Sequence, residues 1–226
     1  MEQAGVVFII PAYNEAKTLP PLLAILNKYG KSIVVDDGST DLTLSCAKQC
    51  GAIAIHHKIN LGYEKALDSG FKTAVKLNFE YAITIDADGE HDVSCLPEVI
   101  RELSRGCDLV LGVRDKKGRF FESLSSMLLR FILHIEDPFC GLKGYRLDIY
   151  KKFGPFCDQR AIGADVAIKA LLAGKIYSQV KIRIIPRQGP SRFGGEIIGN
   201  FKVGVALIRI IYLLMKSKLK NTDLPR

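Results

Sequence analysis

Short apolar runs recur along the first half of the chain, at Val6 to Ile10, Ser32 to Val35, Ala52 to His56, Tyr81 to Ile85 and Asp108 to Gly112. They are too short for stable helices and almost continuously apolar, as strands buried on both faces of a sheet are. The first four each give way to a polar or glycine-bearing turn. Helical patterns lie between them, at Thr18 to Lys28, Asp41 to Gln49, Glu64 to Leu77 and Leu96 to Arg105, with a later one at Val166 to Ala173. Strands alternating with helices predict an α/β fold, a layered sheet with helices packed on it. No internal repeat or Pro/Gly/Ser-rich linker interrupts the pattern, which predicts a single domain. In open α/β sheets ligands bind beyond the carboxyl ends of the strands, so chemistry is expected in the turns that follow the apolar runs.

Near the carboxyl terminus, the apolar stretch Val203 to Met215 is broken by Arg209 and is shorter than the ~20 residues that span a bilayer. It predicts no spanning helix. Arg209, Lys216, Lys218 and Lys220 gather around it, the composition of an amphipathic helix lying in a membrane interface and drawn to anionic lipid. Packing of a terminal helix onto the domain is the alternative. The chain is therefore read as a domain over 1–202 followed by a basic segment over 203–226. A formal net charge of +8 suits an anionic partner such as a nucleotide, a phospholipid or a nucleic acid. Cys46, Cys50, Cys95, Cys107, Cys140 and Cys157 form no CxxC pair and follow no signal peptide, which predicts reduced thiols in a cytoplasmic protein. Cys46 and Cys50, at helical spacing, offer either a metal site or a half-buried helix face.

The turn after the fourth run is Asp86-Ala87-Asp88, two carboxylates separated by one small residue. Hard cations such as Mg²⁺ or Mn²⁺ take oxygen ligands, and Mg²⁺ is commonly held by one or two carboxylates while substrate phosphates fill its other positions. A nucleoside diphosphate is the natural guest of such a pair; capping of the next helix is the plainer alternative. The first run leads into Pro11-Ala12-Tyr13-Asn14-Glu15 and the second into Asp36-Asp37-Gly38-Ser39-Thr40-Asp41. Tyr13 there can cover a base, and the carboxylates can accept hydrogen bonds from a base N–H or from ribose hydroxyls. Equally, Glu15 can start a helix and Ser39 or Thr40 can cap one. Asn60-Leu61-Gly62-Tyr63-Glu64-Lys65-Ala66 opens a helix whose amino end, with Lys65, can meet phosphate. No GxGxxG or GxxxxGK[ST] motif is present, which argues against a dehydrogenase or a P-loop enzyme.

Taken in order, these motifs resemble those of the family 2 glycosyltransferases of GT-A fold, and among them the dolichyl-phosphate or polyprenyl-phosphate mannose synthases. The resemblance also takes in Val34-Val35, Gly89-Glu90-His91, Gly112-Val113-Arg114, Asp137-Pro138-Phe139-Cys140-Gly141 and Ser191-Arg192-Phe193-Gly194-Gly195, and so extends to about Gly195. It implies a mixed, mostly parallel sheet with helices on both faces. It implies nucleoside binding by Pro11, Tyr13, Glu15 and Asp37, and diphosphate binding through Mg²⁺ or Mn²⁺ by Asp86, Ala87 and Asp88. Glu90 stands where the synthases commonly carry a metal-touching Gln, a departure that adds a third anionic ligand or leaves a solvated side chain. Arg114 matches an arginine near the sugar phosphate, and Arg119 with Ser123 keeps the spacing of an arginine and serine that hold the acceptor phosphate. Arg187, Ser191 and Arg192 match a late loop over the donor diphosphate and the acceptor.

The reaction so implied is inverting transfer of a sugar from a nucleoside-diphosphate sugar to an acceptor, with Asp88, Arg114 and Asp165 as the catalytic candidates. A lipid-phosphate acceptor is already ionised. A glycan or lipid hydroxyl needs a base, and Asp165 lies where related enzymes place one; capping the helix Val166 to Ala173 is its structural alternative. The implied partners are donor, acceptor and the cytoplasmic face of a membrane, with no nucleic acid. A sugar-nucleotide pyrophosphorylase would share the nucleotide-binding layout, but its glycine-rich amino-terminal loop is missing. A noncatalytic nucleotide-binding or lipid-binding module would not need both aspartates around Ala87.

Overall fold

Branched and aromatic side chains alternate along the first strand between two buried cores, one on each face of a single sheet. The structure, a computed structural model, describes residues 5–115, 127, 129–156, 163–185, 204–208 and 210–212. Among these the sheet has seven strands: β1 (Val6–Ala12), β2 (Lys31–Asp36), β3 (Ile53–His56), β4 (Tyr81–Thr84), β5 (Leu109–Arg114), β6 (Lys143–Arg146) and β7 (Tyr177–Ile182). Their order is β3-β2-β1-β4-β6-β5-β7. β6 runs antiparallel to both of its neighbours and every other pairing is parallel. Val7 and Ile9 of β1 enter a core covered by α3 (Tyr63–Lys76), α5 (Leu147–Phe153) and α6 (Asp165–Leu172). Val6, Phe8, Ile10 and Ala12 enter the opposite core, under α1 (Leu19–Leu26), α2 (Thr43–Gln49) and α4 (Leu96–Ser104). This is the mixed, mostly parallel sheet with helices on both faces that the resemblance implied.

The five expected strands form, with shifted ends. β1 continues to Ala12 and β5 to Arg114, each past its expected stop, because the neighbouring strand still offers ladder partners. α2 starts at Thr43 rather than Asp41, since the Asp41 carboxylate turns to accept the Thr43 N–H at 2.9 Å. β6, β7 and α5 were not expected. Lys143-Gly144-Tyr145-Arg146 carries no apolar run, yet its first three residues are buried, because β4 and β5 flank it on both sides. β7 buries only Val180 and Ile182, and its half-exposed Tyr177, Ser178 and Gln179 blur the pattern.

Helix α3 lies against the sheet at Gly70, where a Cβ would come within 2.4 Å of Ile9 Cγ2. Towards the end of the chain, residues 204–208 and 210–212 are helical. Their Ala206 and Ile210 sink into the same core as α3, while Ile208 and Tyr212 stay exposed. Among the described residues no helix is long and apolar enough to cross a membrane. Because Ile9 is fully buried and β-branched, it has no room to yield. Gly70→Val is therefore expected to destabilise the protein by about 1–3 kcal/mol, the usual cost of overpacking a filled core, measured as a lower urea midpoint with unchanged slope.

Candidate functional site

Strand register brings the motif-bearing turns to one edge. Ala12 pairs with Asp36 and Asp36 with His56, while Ile9 pairs with Thr84 and Thr84 with Lys143. The turns after β1, β2 and β4, the segment entering β6 and the start of α3 consequently open side by side. Pro11, Tyr13, Glu15, Asp37, Lys65, Asp86, Ala87, Asp88, Glu90 and Arg114 all stand on this edge or in the turns leaving it.

Side chains tie the turn after β1 to the turn after β2. The Asn14 N–H donates to Ser39 Oγ at 2.8 Å, the Thr40 N–H to Asn14 Oδ1 at 2.8 Å, and the Glu15 N–H to Thr43 Oγ1 at 2.7 Å. Ser39 and Asn14 thus bridge the loops, and Ser39 caps no helix. Glu15 is buried and accepts from Thr18 Oγ1 at 2.8 Å, while Pro11 is buried beside the half-exposed ring of Tyr13. Asp37 is nearly buried: its Oδ1 accepts the Leu61 N–H at 2.9 Å and its Oδ2 the Gly62 N–H at 2.8 Å. Gly38, at φ +76°, lets the next loop lie so close that a Cβ there would be 2.6 Å from the Ile59 carbonyl carbon. Gly62, at φ +96°, caps α3 and presents Tyr63 and the exposed Lys65 to the edge.

Asp86 is braced from three sides. The Tyr63 hydroxyl donates to its Oδ1 at 3.1 Å, His91 Nε2 lies 4.0 Å from its Oδ2, and a Cβ on Gly141 would stand 2.0 Å from that same oxygen. A side chain at 141 would displace the Asp86 carboxylate. Burial and the neighbouring Asp86 both push the Tyr63 phenol well above its ordinary range, so it remains a donor. Asp88 is half-buried, and its Oδ1 accepts the Glu90 N–H at 3.1 Å, while the Glu90 carbonyl accepts the Ile185 N–H at 2.8 Å. Among the described residues no three His, Cys, Asp or Glu side chains surround one point. Asp86, Asp88 and Glu90 therefore form no ready-made cage. The oxygen chemistry of Asp86 and Asp88, half-exposed at the strand end, fits a cation that completes its shell with substrate phosphates.

Behind the pair lies a set of charges that inspection of the sequence missed. Asp137 is buried and receives Arg114 Nε at 2.7 Å and Nη2 at 3.0 Å, a bidentate pair joined by the Arg114 N–H at 3.2 Å. Burial alone would raise the Asp137 carboxyl, but Arg114 outweighs it and holds it below its usual range. Lys143 is buried too and donates to the Cys140 carbonyl; desolvation lowers its ammonium, opposed by Cys140, Asp137 and Asp86. Burial likewise pulls the His91 imidazole down, yet Cys140 Sγ at 3.9 Å and the two aspartates raise it to about 9. The available signals were the Asp137 to Gly141 motif and His91 in Gly89-Glu90-His91, which carried the resemblance without a role for Asp137 or His91.

Asp165 is the first residue of α6, not its cap; the cap is Ala164, with no side-chain bond. Its carboxylate is wholly buried and meets Lys169 Nζ at 3.0 Å. The same helix entrance touches Tyr63, since a Cβ on Gly163 would be 3.0 Å from Tyr63 Cε1. The remaining candidates, Arg119, Ser123, Arg187, Ser191 and Arg192, lie outside the described residues, as do Arg209, Lys216, Lys218 and Lys220.

Known proteins share this architecture. A family model described as Glycosyl transferase family 2 matches residues 7–163. An undecaprenyl-phosphate mannosyltransferase of Micrococcus luteus is 27% identical over 224 residues, covering 88% of this chain and 92% of its own. A UDP-N-acetylglucosamine–dolichyl-phosphate N-acetylglucosaminyltransferase of Methanococcus voltae is 26% identical over 241 residues, covering 91% and 95%. The crystal structure of glucosyl-3-phosphoglycerate synthase from Mycobacterium tuberculosis, in complex with Mn²⁺, UDP and phosphoglyceric acid, superposes with a TM-score of 0.71 at 18% identity. That match covers 99% of this chain and 80% of the other, and is a likeness of fold. With the family model spanning most of the sheet and every described turn of the edge, the chain belongs to glycosyl transferase family 2 and is a glycosyltransferase of GT-A fold.

Proposed function

We propose that the protein moves a sugar, with inversion, from a nucleoside-diphosphate sugar to a polyprenyl-type lipid phosphate at a membrane surface. The observation that carries this reading is the Asp86–Asp88 pair at the carboxyl end of β4, with Asp86 braced by Tyr63 and backed by Gly141. Tyr13, Glu15 and Asp37 line the nucleoside end. Asp86 and Asp88 would hold Mg²⁺ or Mn²⁺, which when bound offsets the negative charge of the diphosphate. The M. tuberculosis structure of the same fold binds Mn²⁺ with UDP, which supports this choice of ion.

The acceptor oxygen forms its bond to the anomeric carbon as the bond to the diphosphate oxygen breaks, and the electron pair leaves with the nucleoside diphosphate. The protein's task is to meet charge that grows on the leaving group. Arg114, its guanidinium fixed by Asp137 at the end of β5, is assigned to the sugar phosphate, a group that guanidinium meets through charge-assisted hydrogen bonds. Lys65 at the start of α3 and Arg187 with Arg192 later in the chain add positive charge, and Arg119, Ser123 and Ser191 take the acceptor. Glu90 is read as a neighbour of the metal rather than an essential ligand, since the pair needs no third carboxylate to hold a diphosphate-bound ion.

A phosphate acceptor is favoured over a hydroxyl by Asp165. A base must reach its proton, and this carboxylate is fully buried and engaged with Lys169. The two relatives named for polyprenyl-phosphate acceptors point the same way. Membrane contact is supported by exposed apolar side chains on the helical segments, Phe131 at 79% and Ile208 at 69% exposure, joined in the sequence by the basic residues beyond 212. On this reading the enzyme is peripheral to a membrane, and its cytoplasmic face is the side we propose.

Three measurements test the reading. In a labelled nucleotide-sugar assay with Mn²⁺ and polyprenyl phosphate, Asp88→Ala is expected to lower transfer by about 10²-fold or more; equal rates in both proteins would refute the metal-assisted reaction. Gly141→Ala is expected to push Asp86 aside and abolish stabilisation by Mn²⁺ plus nucleoside diphosphate in thermal unfolding, with the far-ultraviolet circular dichroism unchanged. Phe131→Glu with Ile208→Glu is expected to reduce cosedimentation with anionic liposomes without altering the melting temperature, and undiminished binding would remove the membrane from the proposal.

A further inference from the structure

Ser69, His57 and Asp37 form a hydrogen-bonded chain that the transfer reaction does not use. His57 Nδ1 lies 2.7 Å from Asp37 Oδ1 and its Nε2 lies 2.9 Å from Ser69 Oγ. Both the imidazole and the carboxylate are nearly buried, and the His57 N–H is fixed to the Asp36 carbonyl at 2.9 Å. A carboxylate only accepts, so a neutral ring must carry its proton on Nδ1, and Nε2 then accepts from the Ser69 hydroxyl. The ring thereby joins the end of β2 to the middle of α3.

Asp37 passes the constraint on. Its two oxygens hold the N–H groups of Leu61 and Gly62, the last residues before α3. The next residue is Tyr63, whose hydroxyl braces Asp86. Helix α3 is thus held to the sheet edge at its cap and again at Ser69, nearly two turns further on.

We propose that the Ser69–His57–Asp37 chain is a positioning device that sets the entrance of α3, so that the nucleoside end and the diphosphate end of the donor are read by one rigid unit. This rests on the donor-binding reading of the site. His57 and Ser69 touch neither donor nor cation; they act through Asp37 and Tyr63. A serine, histidine and aspartate in line also suggest a hydrolytic triad, but each member here is committed to holding the loop and the helix.

The test uses the full chain and two probes, UDP and GDP, each titrated by calorimetry with and without Mn²⁺. His57→Phe is expected to weaken binding of the preferred diphosphate roughly tenfold, the loss that accompanies one hydrogen bond to a charged group, and to shrink the gain from Mn²⁺. Ser69→Ala is expected to act in the same direction and less strongly, and it carries the test if His57→Phe does not fold. The double variant is expected to bind no worse than His57→Phe, because the two residues act in one chain. Nitrogen-15 spectra recorded above the imidazole titration range are expected to show His57 as the Nδ1–H tautomer. Additive losses, unchanged affinities or an Nε2–H tautomer would overturn the proposal while leaving the donor site in place. Failure of the unmodified protein to bind either diphosphate with Mn²⁺ would instead overturn the donor reading, and the inference with it.

Discussion

Negative charge concentrated at one edge of a sheet has to be held in place without being neutralised, and the rest of this site is arranged around that requirement. Asp86 accepts from a phenol hydroxyl and Asp88 from a backbone N–H, while Asp37 takes two backbone N–H groups and the His57 ring; the His91 imidazole stands 4.0 Å from Asp86. Backbone and phenol donors fix a carboxylate and favour its ionised form without themselves carrying charge. Asp137 is treated differently. It is buried, and it takes the full positive charge of Arg114 through two side-chain bonds. An uncompensated buried carboxylate would be costly. The division separates the half-exposed Asp86 and Asp88 at the strand end from a buried carboxylate that holds a guanidinium.

Backbone geometry enforces the same separation. Strand β6 enters the sheet against the direction of its neighbours, so the chain preceding it arrives at the edge where β4 ends. Gly141 is thereby laid against Asp86, and the Thr84 hydroxyl donates to its carbonyl at 2.6 Å. A side chain at 141 would occupy the space of the Asp86 carboxylate. The antiparallel strand therefore does more than fill the sheet, because it supplies the wall that directs Asp86 outward. Lys143 follows on the same strand and places a buried ammonium behind the acidic turn.

The parallel half of the fold was legible in the sequence because each strand there is a nearly pure apolar run ended by a polar turn, and Val7, Phe8 and Ile9 are buried as that pattern requires. The site turns were legible for a related reason: Asp86 and Asp88 come directly after the apolar run that ends at Ile85, and that position after a strand is informative by itself. β6 was not legible, because a strand of Lys, Gly, Tyr and Arg is made a strand by the two neighbours it bonds. Asp137 was hidden in a different way. Its partner Arg114 lies 23 residues earlier, and no spacing rule links a strand end to a loop across that distance. The cap attributed to Ser39 or Thr40 followed local preference, whereas the competing partner, Asn14, comes from another turn: its N–H donates to Ser39 Oγ and its Oδ1 accepts from Thr40.

Helix α3 connects these observations. Its first turn carries Tyr63 to Asp86 and Lys65 to the edge, while Gly70 lets its body approach β1 more closely than any side chain would permit. A helix seated that closely gains little freedom to tilt, because interiors are packed as densely as crystals and respond to displacement as a unit. The reach of a tyrosine hydroxyl to a carboxylate at 3.1 Å leaves small tolerance for such movement. Close helix packing far from the edge and correct placement of a metal-facing carboxylate are therefore one constraint acting at two ends of the same rod.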